Sequence, residues 1–163
     1  MEVHWEEVKE LAKLLIYITK AVDKDGVDVA FLSSPKFVNF KRSNKAAQYI
    51  GRQHPADKTS LDTVLDQEVQ NYCRKIDAYR NPVTIMPRSL RRRSLYILTN
   101  GLLEHGGPNQ GHDAIETLVT KLVSASMGRA QFGIQFIRFG NHPDGIARLD
   151  AMDRLNQSRS LRR

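Results

Sequence analysis

The chain has a single cysteine, Cys73, and no long apolar run. One thiol excludes an internal disulfide and fits a reducing compartment. A bilayer-spanning helix needs about 20 mostly apolar residues. The richest stretch, Leu11 to Ile18, is interrupted by Lys13. The first residues, Met1-Glu-Val-His-Trp-Glu-Glu7, are acidic, whereas a signal peptide begins basic. A cytoplasmic location is expected, or a nuclear one, with no membrane partner. Internal repeats and low-complexity tracts are also missing.

Catalytic signatures are missing too. Gly106 to Gly111 has the spacing of a phosphate-binding loop, but His112-Asp113 stands where that loop needs Lys-Ser/Thr. Without the lysine the phosphates have no cation, so the segment reads as a connector. No G-x-G-x-x-G follows a strand, which leaves a dinucleotide site without support. The five histidines, His4, His54, His105, His112 and His142, form neither H-E-x-x-H nor a Cys/His zinc spacing. Each is expected in solvent near a loop or a helix start. No G-x-S-x-G elbow and no Cys–His pair nominates a nucleophile. A non-enzymatic role is therefore expected. Cys73 falls on an apolar helical stripe and reads as a buried structural thiol.

What is present is the composition of one soluble globular domain. In 163 residues, 40% are hydrophobic and 26% charged. The formal charge is +7, which favours acidic partners, nucleic acid included. Much of the excess is concentrated: Arg88, Arg91, Arg92 and Arg93 precede one apolar run, and Arg154, Arg159, Arg162 and Arg163 crowd the end. The first cluster could contact phosphates. It lacks interleaved aromatic residues for stacking on bases, so a solvated approach to a strand is the plainer reading.

Periodicity predicts an alternating chain. Trp5, Val8, Ala12, Leu15, Ile18 and Val22 repeat at helical spacing over 4–22. A turn at 23–26 leads to a strand over 27–33. Residues 35–55 are polar and basic, and read as a long loop with a short helix around Ala46 to Ile50. A second amphipathic helix carries Leu61, Leu65, Val69, Tyr72, Ile76 and Tyr79, with Thr59 or Ser60 as its cap. Val83 to Met86 reads as a short strand. Ser94 to Asn100 is a buried strand ending on a polar turn with Gly101. Asp113-Ala-Ile-Glu116 has capping-box spacing, and Ile115, Leu118 and Leu122 continue that helix until Gly128 closes it. Gln131 to Phe139 is another buried strand. A final helix carries Ile146, Leu149, Met152 or Asp153, and Leu155, and a basic tail follows. Alternation of this kind predicts a mostly parallel sheet with helices on both faces. Such sheets bind ligands at the carboxyl ends of their strands, which points to Asn100. Val29, Ile97, Leu98, Ile134 and Phe136 should be buried in it.

Several segments together resemble a known family. These are the first helix leading into Asp25-Gly-Val-Asp-Val-Ala-Phe-Leu32, then Ile97-Leu-Thr-Asn-Gly-Leu102, then Ile115-Glu-Thr-Leu-Val-Thr-Lys-Leu122. Gln131-Phe-Gly-Ile-Gln-Phe-Ile-Arg-Phe-Gly-Asn141 and Gly145-Ile-Ala-Arg-Leu-Asp-Ala-Met-Asp153 complete the set. In order and spacing they resemble a von Willebrand factor A (vWA) domain, with the nearest likeness to intracellular vWA-domain proteins of fungi. The resemblance implies a Rossmann-like three-layer sandwich over residues 1–156, followed by a basic tail over 157–163. It also implies a metal-ion-dependent adhesion site of three loops at the carboxyl edge of the sheet, which holds magnesium and a partner's carboxylate.

This chain keeps little of that site. The usual first strand and its D-x-S-x-S loop have no counterpart, because the chain opens in the helix that follows them. Pro55-Ala-Asp-Lys-Thr59 matches the second loop, with Thr59 at the threonine position and Asp57 where glycine is usual. Thr99-Asn100-Gly101 matches the third, with Asn100 in place of the aspartate. Magnesium favours anionic oxygens in an octahedral shell, and Asn100 supplies a neutral one. A degenerate, metal-free edge is the expectation. Thr59, Asn100, Gly101 and Glu104 would line a surface for a protein partner. A basic nucleic-acid-associated module and a non-functional fragment lacking its first strand remain as alternatives.

Overall fold

The computed structural model describes residues 2–23, 25–31, 34–54, 61–80, 90–102 and 111–160. The chain opens in a 3-10 turn, Glu2–His4, that runs into helix α1, Trp5–Val22. Glu6 and Glu7 in the first turn and Lys20 in the last complement the helix dipole. Asp23 ends the helix in extended backbone, and its side chain accepts a hydrogen bond from the Asp25 amide. Gly26 follows at φ +106°, where a Cβ would lie 2.7 Å from the Phe40 carbonyl oxygen. Only glycine lets the chain enter the next strand so close to its neighbour.

Strand β1, Val27–Phe31, pairs antiparallel with β2, Ser34–Phe40. Val27 faces Phe40, Val29 faces Val38, and a bulge falls between Val29 and Phe31. The long loop expected over 35–55 is thus corrected. Its first six residues, 35–40, belong to a strand, because Val38 and Phe40 find partners in Val29 and Val27 that no local pattern announces. Helix α2, Ser43–Gly51, includes the short helix expected there. Its Ala46 and Ile50 pack with Ile16 of α1 and against Val27, Val29, Phe31 and Phe40. Tilted aromatic pairs join Trp5, Phe31, Tyr49 and Phe40 at centroid distances of 5.1–6.4 Å.

The second half of the chain has its own core. Helix α3, Leu61–Arg80, buries Leu61, Leu65, Val69, Tyr72 and Ile76, the stripe its periodicity predicts. Tyr79, the last residue of that stripe, is exposed. Strand β3, Arg93–Thr99, pairs parallel with β4, Phe132–Arg138, from Arg93 opposite Phe132 to Thr99 opposite Arg138. Helix α4, His112–Ser124, is the crossover between them and packs Ala114, Leu118 and Leu122 on α3. Its N-cap is Gly111 in left-handed backbone with no side-chain cap, so the expected capping box does not form. Its end lies before Gly128. Ser126 takes the left-handed position at φ 55°, and the Met127 and Ser126 amides donate to the Leu122 and Val123 carbonyls. That is a Schellman motif built on serine. Helix α5, Pro143–Ser160, closes the fold with Met152 against Leu61 and Ile97.

The chain is therefore mixed α/β, with five helices and two small sheets among the described residues. The single, mostly parallel sheet expected from the alternation is corrected. β1 turns straight back into β2, and so short a connection can only be antiparallel. Among the described residues β1 bonds only to β2, and β3 only to β4. Of five residues expected in a common core, only Ile97 is buried, while Val29, Leu98, Ile134 and Phe136 are partly covered. Among the described residues no buried apolar cluster spans the two halves. The expected strand at 83–86 lies outside the described residues.

Candidate functional site, a cleft between two strand edges

Residues of β1 and β3, each strand paired along one edge among the described residues, line one cleft of about 590 Å³. α1 contributes Leu15, Ile18 and Val22 to its walls, and α3 contributes Leu61, Val64 and Leu65. Ile18 and Val22 belong to the amphipathic α1 stripe, and they are 54% and 86% exposed. β3 lies along the cleft from Arg93 to Leu98, with Tyr96 38% exposed beside it.

Polar groups hold the cleft at one end. Arg93 Nη2 lies 2.7 Å from Glu68 Oε2 of α3, and Arg93 Nη1 lies 3.3 Å from Asp28 Oδ2 of β1. The same guanidinium sits 5.9 Å from the centre of the Phe37 ring of β2. Asn39 donates to the other Asp28 oxygen at 2.8 Å. One arginine thus ties α3 and β3 to the hairpin. Arg91 and Asp25 form a second, more exposed pair between the segments leading into the same two strands. Glu68 is one of two buried polar residues in the described core, and Arg93 supplies its counter-charge.

Beside this cluster, Tyr72 donates its hydroxyl proton to the Arg91 carbonyl at 2.7 Å and accepts from Gln131 Nε2 at 2.8 Å. Burial pushes the Tyr72 phenol above its ordinary range, partly opposed by the Gln131 hydrogen bond and by Arg93. Burial likewise raises the thiol of the half-buried Cys73, with Lys121 opposing. Such a thiol is a weak nucleophile.

At the carboxyl end of β3 the chain turns sharply. Gly101, at φ +76°, would place a Cβ 2.6 Å from Gly145 Cα, so this turn is pressed against the first turn of α5. The Gly101 amide donates to Thr99 Oγ1, and the Leu102 amide donates to Asn100 Oδ1, both at 3.1 Å. The Asn100 side-chain oxygen Oδ1 is therefore engaged by its own turn. Thr59, Glu104 and Arg88 lie outside the described residues. Among the described residues no three His, Cys, Asp or Glu side chains converge on a point. One neutral oxygen already hydrogen-bonded to backbone does not fit magnesium, which asks for several hard oxygens.

Of the basic residues singled out in the sequence, Arg91 and Arg93 are spent on Asp25, Asp28 and Glu68, while Arg92 is exposed. The histidines are not all solvated. His112 Nε2 is buried without a hydrogen-bond partner among the described residues, and His4 and His142 lie beside Glu7 and Asp144. Sequence reasoning missed the cleft and the Arg93 cluster. Its one available signal was the length of the α1 stripe, which exceeds what a five-residue strand can cover.

Among the described residues no helix is long and apolar enough to cross a membrane. No known protein family, curated protein or solved structure matches the chain.

Proposed function

We propose that this chain is a non-enzymatic protein-interaction module of the vWA type, which engages its partner without a metal. The observation that carries the reading is the apolar cleft between β1 and β3. Monomeric proteins rarely leave aliphatic side chains such as Ile18 and Val22 this open beside unpaired strand edges. The parallel β3–α4–β4 unit and the turn at Asn100-Gly101 support the vWA type. The partner surface runs along the cleft to Leu98 and adjoins that turn, so the proposed edge residues Thr59, Asn100, Gly101 and Glu104 flank it in sequence. A nucleic-acid role has less in its favour, since Arg91 and Arg93 are already paired with carboxylates.

The test is selection of binders from a displayed library of random seven-residue peptides on the full chain. Ile18→Lys serves as the control, because Ile18 is exposed enough for the substitution to spare folding. Binders that lose at least about tenfold in affinity for the Ile18→Lys protein are expected, since a lysine charge would have to be buried in the cleft. Binding indifferent to Ile18→Lys, or no selected binder, would refute the assignment.

A further inference from the structure

We infer that the exposed face of α2, with the turn that leads into it, binds the phosphate backbone of double-stranded nucleic acid. The inference goes beyond the protein-interaction reading and concerns a different surface. None of its cations lines the cleft, and none belongs to the arginines that precede β3.

The sequence supplies the charge. Between Asp28 and Asp57 the chain has no acidic residue, yet it carries Lys36, Lys41, Arg42, Lys45 and Arg52. All five are exposed. Among the described residues none of them forms an ion pair or a side-chain hydrogen bond. Cations on neighbouring elements are engaged by contrast. Lys9 and Lys13 of α1 meet Glu6 and Glu10, and Arg91 and Arg93 meet their carboxylates.

The fold gathers four of the five. α2 turns Ala46 and Ile50 inward, against Ile16 and the hairpin. Lys45, Gln48 and Arg52 then recur at helical spacing on the outward side. Arg52 caps the helix at φ −88° and ψ −7°, so it continues the helical path. Lys45 and Arg52 are separated by about 10 Å along the axis, the rise of about three phosphates on one strand of a duplex. Lys41 and Arg42 stand exposed just before the first turn. That turn has no acidic residue and no side-chain cap. The positive end of the helix dipole and three cations therefore meet with no acidic side chain of the segment to offset them.

What the face lacks selects the partner. Its exposed residues, Asn44, Lys45, Gln48, Gly51 and Arg52, include no aliphatic or aromatic side chain. A protein interface is anchored by such groups. A helix lying on a membrane needs an exposed apolar side, and here that side is buried in the core at Ala46 and Ile50. Single strands stack their bases on aromatic rings. The aromatic rings of this segment are already engaged: Tyr49 packs on Phe31 and Phe40, and Phe37 lies under Arg93. A duplex backbone asks only for cations and hydrogen-bond donors, and Asn44 and Gln48 add exposed amides among the cations. Contacts of this kind read no bases, so the binding is independent of sequence.

The experiment is fluorescence anisotropy of a labelled DNA duplex of mixed sequence titrated with the full chain across a salt series. Four phosphate contacts predict an affinity that falls about a hundredfold between about 50 and 200 mM salt. Lys45→Gln with Arg52→Gln removes two contacts, and the fall should shrink to about tenfold. Both side chains are exposed and unpartnered, so the double variant should melt as the natural chain does. Arg74→Gln, at an exposed arginine of α3, should leave the salt dependence unchanged. Absence of binding at about 50 mM salt, an affinity indifferent to salt, or a slope unmoved by the double variant would overturn the inference. The unpaired single strand bound more tightly than the duplex would overturn the choice of ligand. Binding to phosphatidylserine vesicles without binding to the duplex would give the face to a membrane surface and overturn it as well.

Discussion

Replacing Arg93 with alanine removes the counter-charge of a buried carboxylate. The Glu68 side chain is 8% exposed, and Arg93 lies 2.7 Å away with 25% of its own side chain exposed. Breaking a buried pair by removing one partner costs roughly 3–5 kcal/mol, most of it the penalty of leaving the other charge uncompensated. Water reaches this arginine in part, which moves the expectation to the lower end. The Asp28 contact, a third exposed on the carboxylate side, adds a fraction of 1 kcal/mol. The expected loss for Arg93→Ala is about 3 kcal/mol. For a chain of this length that corresponds to a fall in Tm of roughly 6–12 °C.

The assay is urea denaturation followed by circular dichroism, alongside Arg91→Ala and a double variant carrying Arg93→Met and Glu68→Leu. Arg91 and Asp25 are 75% and 54% exposed, so Arg91→Ala should cost less than about 0.5 kcal/mol. The double variant should recover most of the loss, because an apolar pair carries no desolvation penalty. If Arg93→Ala costs less than about 1 kcal/mol, the Glu68 pair behaves as a surface contact. The claim that one arginine joins the two halves is then refuted.

Four further outcomes follow from the packing. Ile97→Ala should destabilise by about 3 kcal/mol, and Leu98→Ala by less than half as much, since only Ile97 is buried; equal losses in denaturant melts would contradict the open cleft beside Leu98. Gly101→Ala forces an L-residue to φ +76° and drives a Cβ onto Gly145, so a loss of at least about 2 kcal/mol is expected, with faster amide exchange in α5; a silent substitution would show that the turn can yield. Millimolar magnesium should leave Tm unchanged in both the natural chain and Asn100→Asp, because a single carboxylate does not make an octahedral site; a rise in either would restore the metal. Tyr72 and Cys73 have raised values when folded, so their contribution is complete below the unfolded values of about 10 and 8.5 and is lost as pH rises through the folded ones. Stability should therefore fall above about pH 9, and Tyr72→Phe should flatten the upper part of the curve; stability rising there would reverse the sign.

The helices were legible because their apolar stripes are long and regular. The α3 stripe from Leu61 to Ile76 is buried as its spacing requires. β3 and β4 were legible as short apolar runs, and their ends fall within a residue or two of the expected positions. β2 was not, since Ser34-Pro-Lys-Phe-Val-Asn-Phe40 mixes charge and proline with aromatics, and its pairing with β1 is a tertiary fact. The end of α4 was misplaced because Gly128 looked like the obvious left-handed residue, whereas Ser126 occupies that conformation. At the site, sequence motifs drew attention to Asn100 and to the arginines as a group. They could not show that Asn100 caps its own turn, nor that Arg93 reaches both α3 and β1.

The basic cluster shows why a charge pattern alone misleads. Four arginines close together in sequence read as a solvated approach to a strand that could contact phosphates, yet a strand sends successive side chains to opposite faces. Arg93, the first residue of β3, turns towards Glu68 and Asp28, while Arg92, just before the strand, is exposed. The same geometry explains the location of the cleft. Arg93 spans the space at the amino end of β3, and the Gly101 turn is fixed to α5 at the other end. Both ends of the β3 edge are held, and among the described residues the ion pairs of Arg91 and Arg93 tie the hairpin side to it. The two halves can therefore keep separate cores with the aliphatic residues of α1 left uncovered between them.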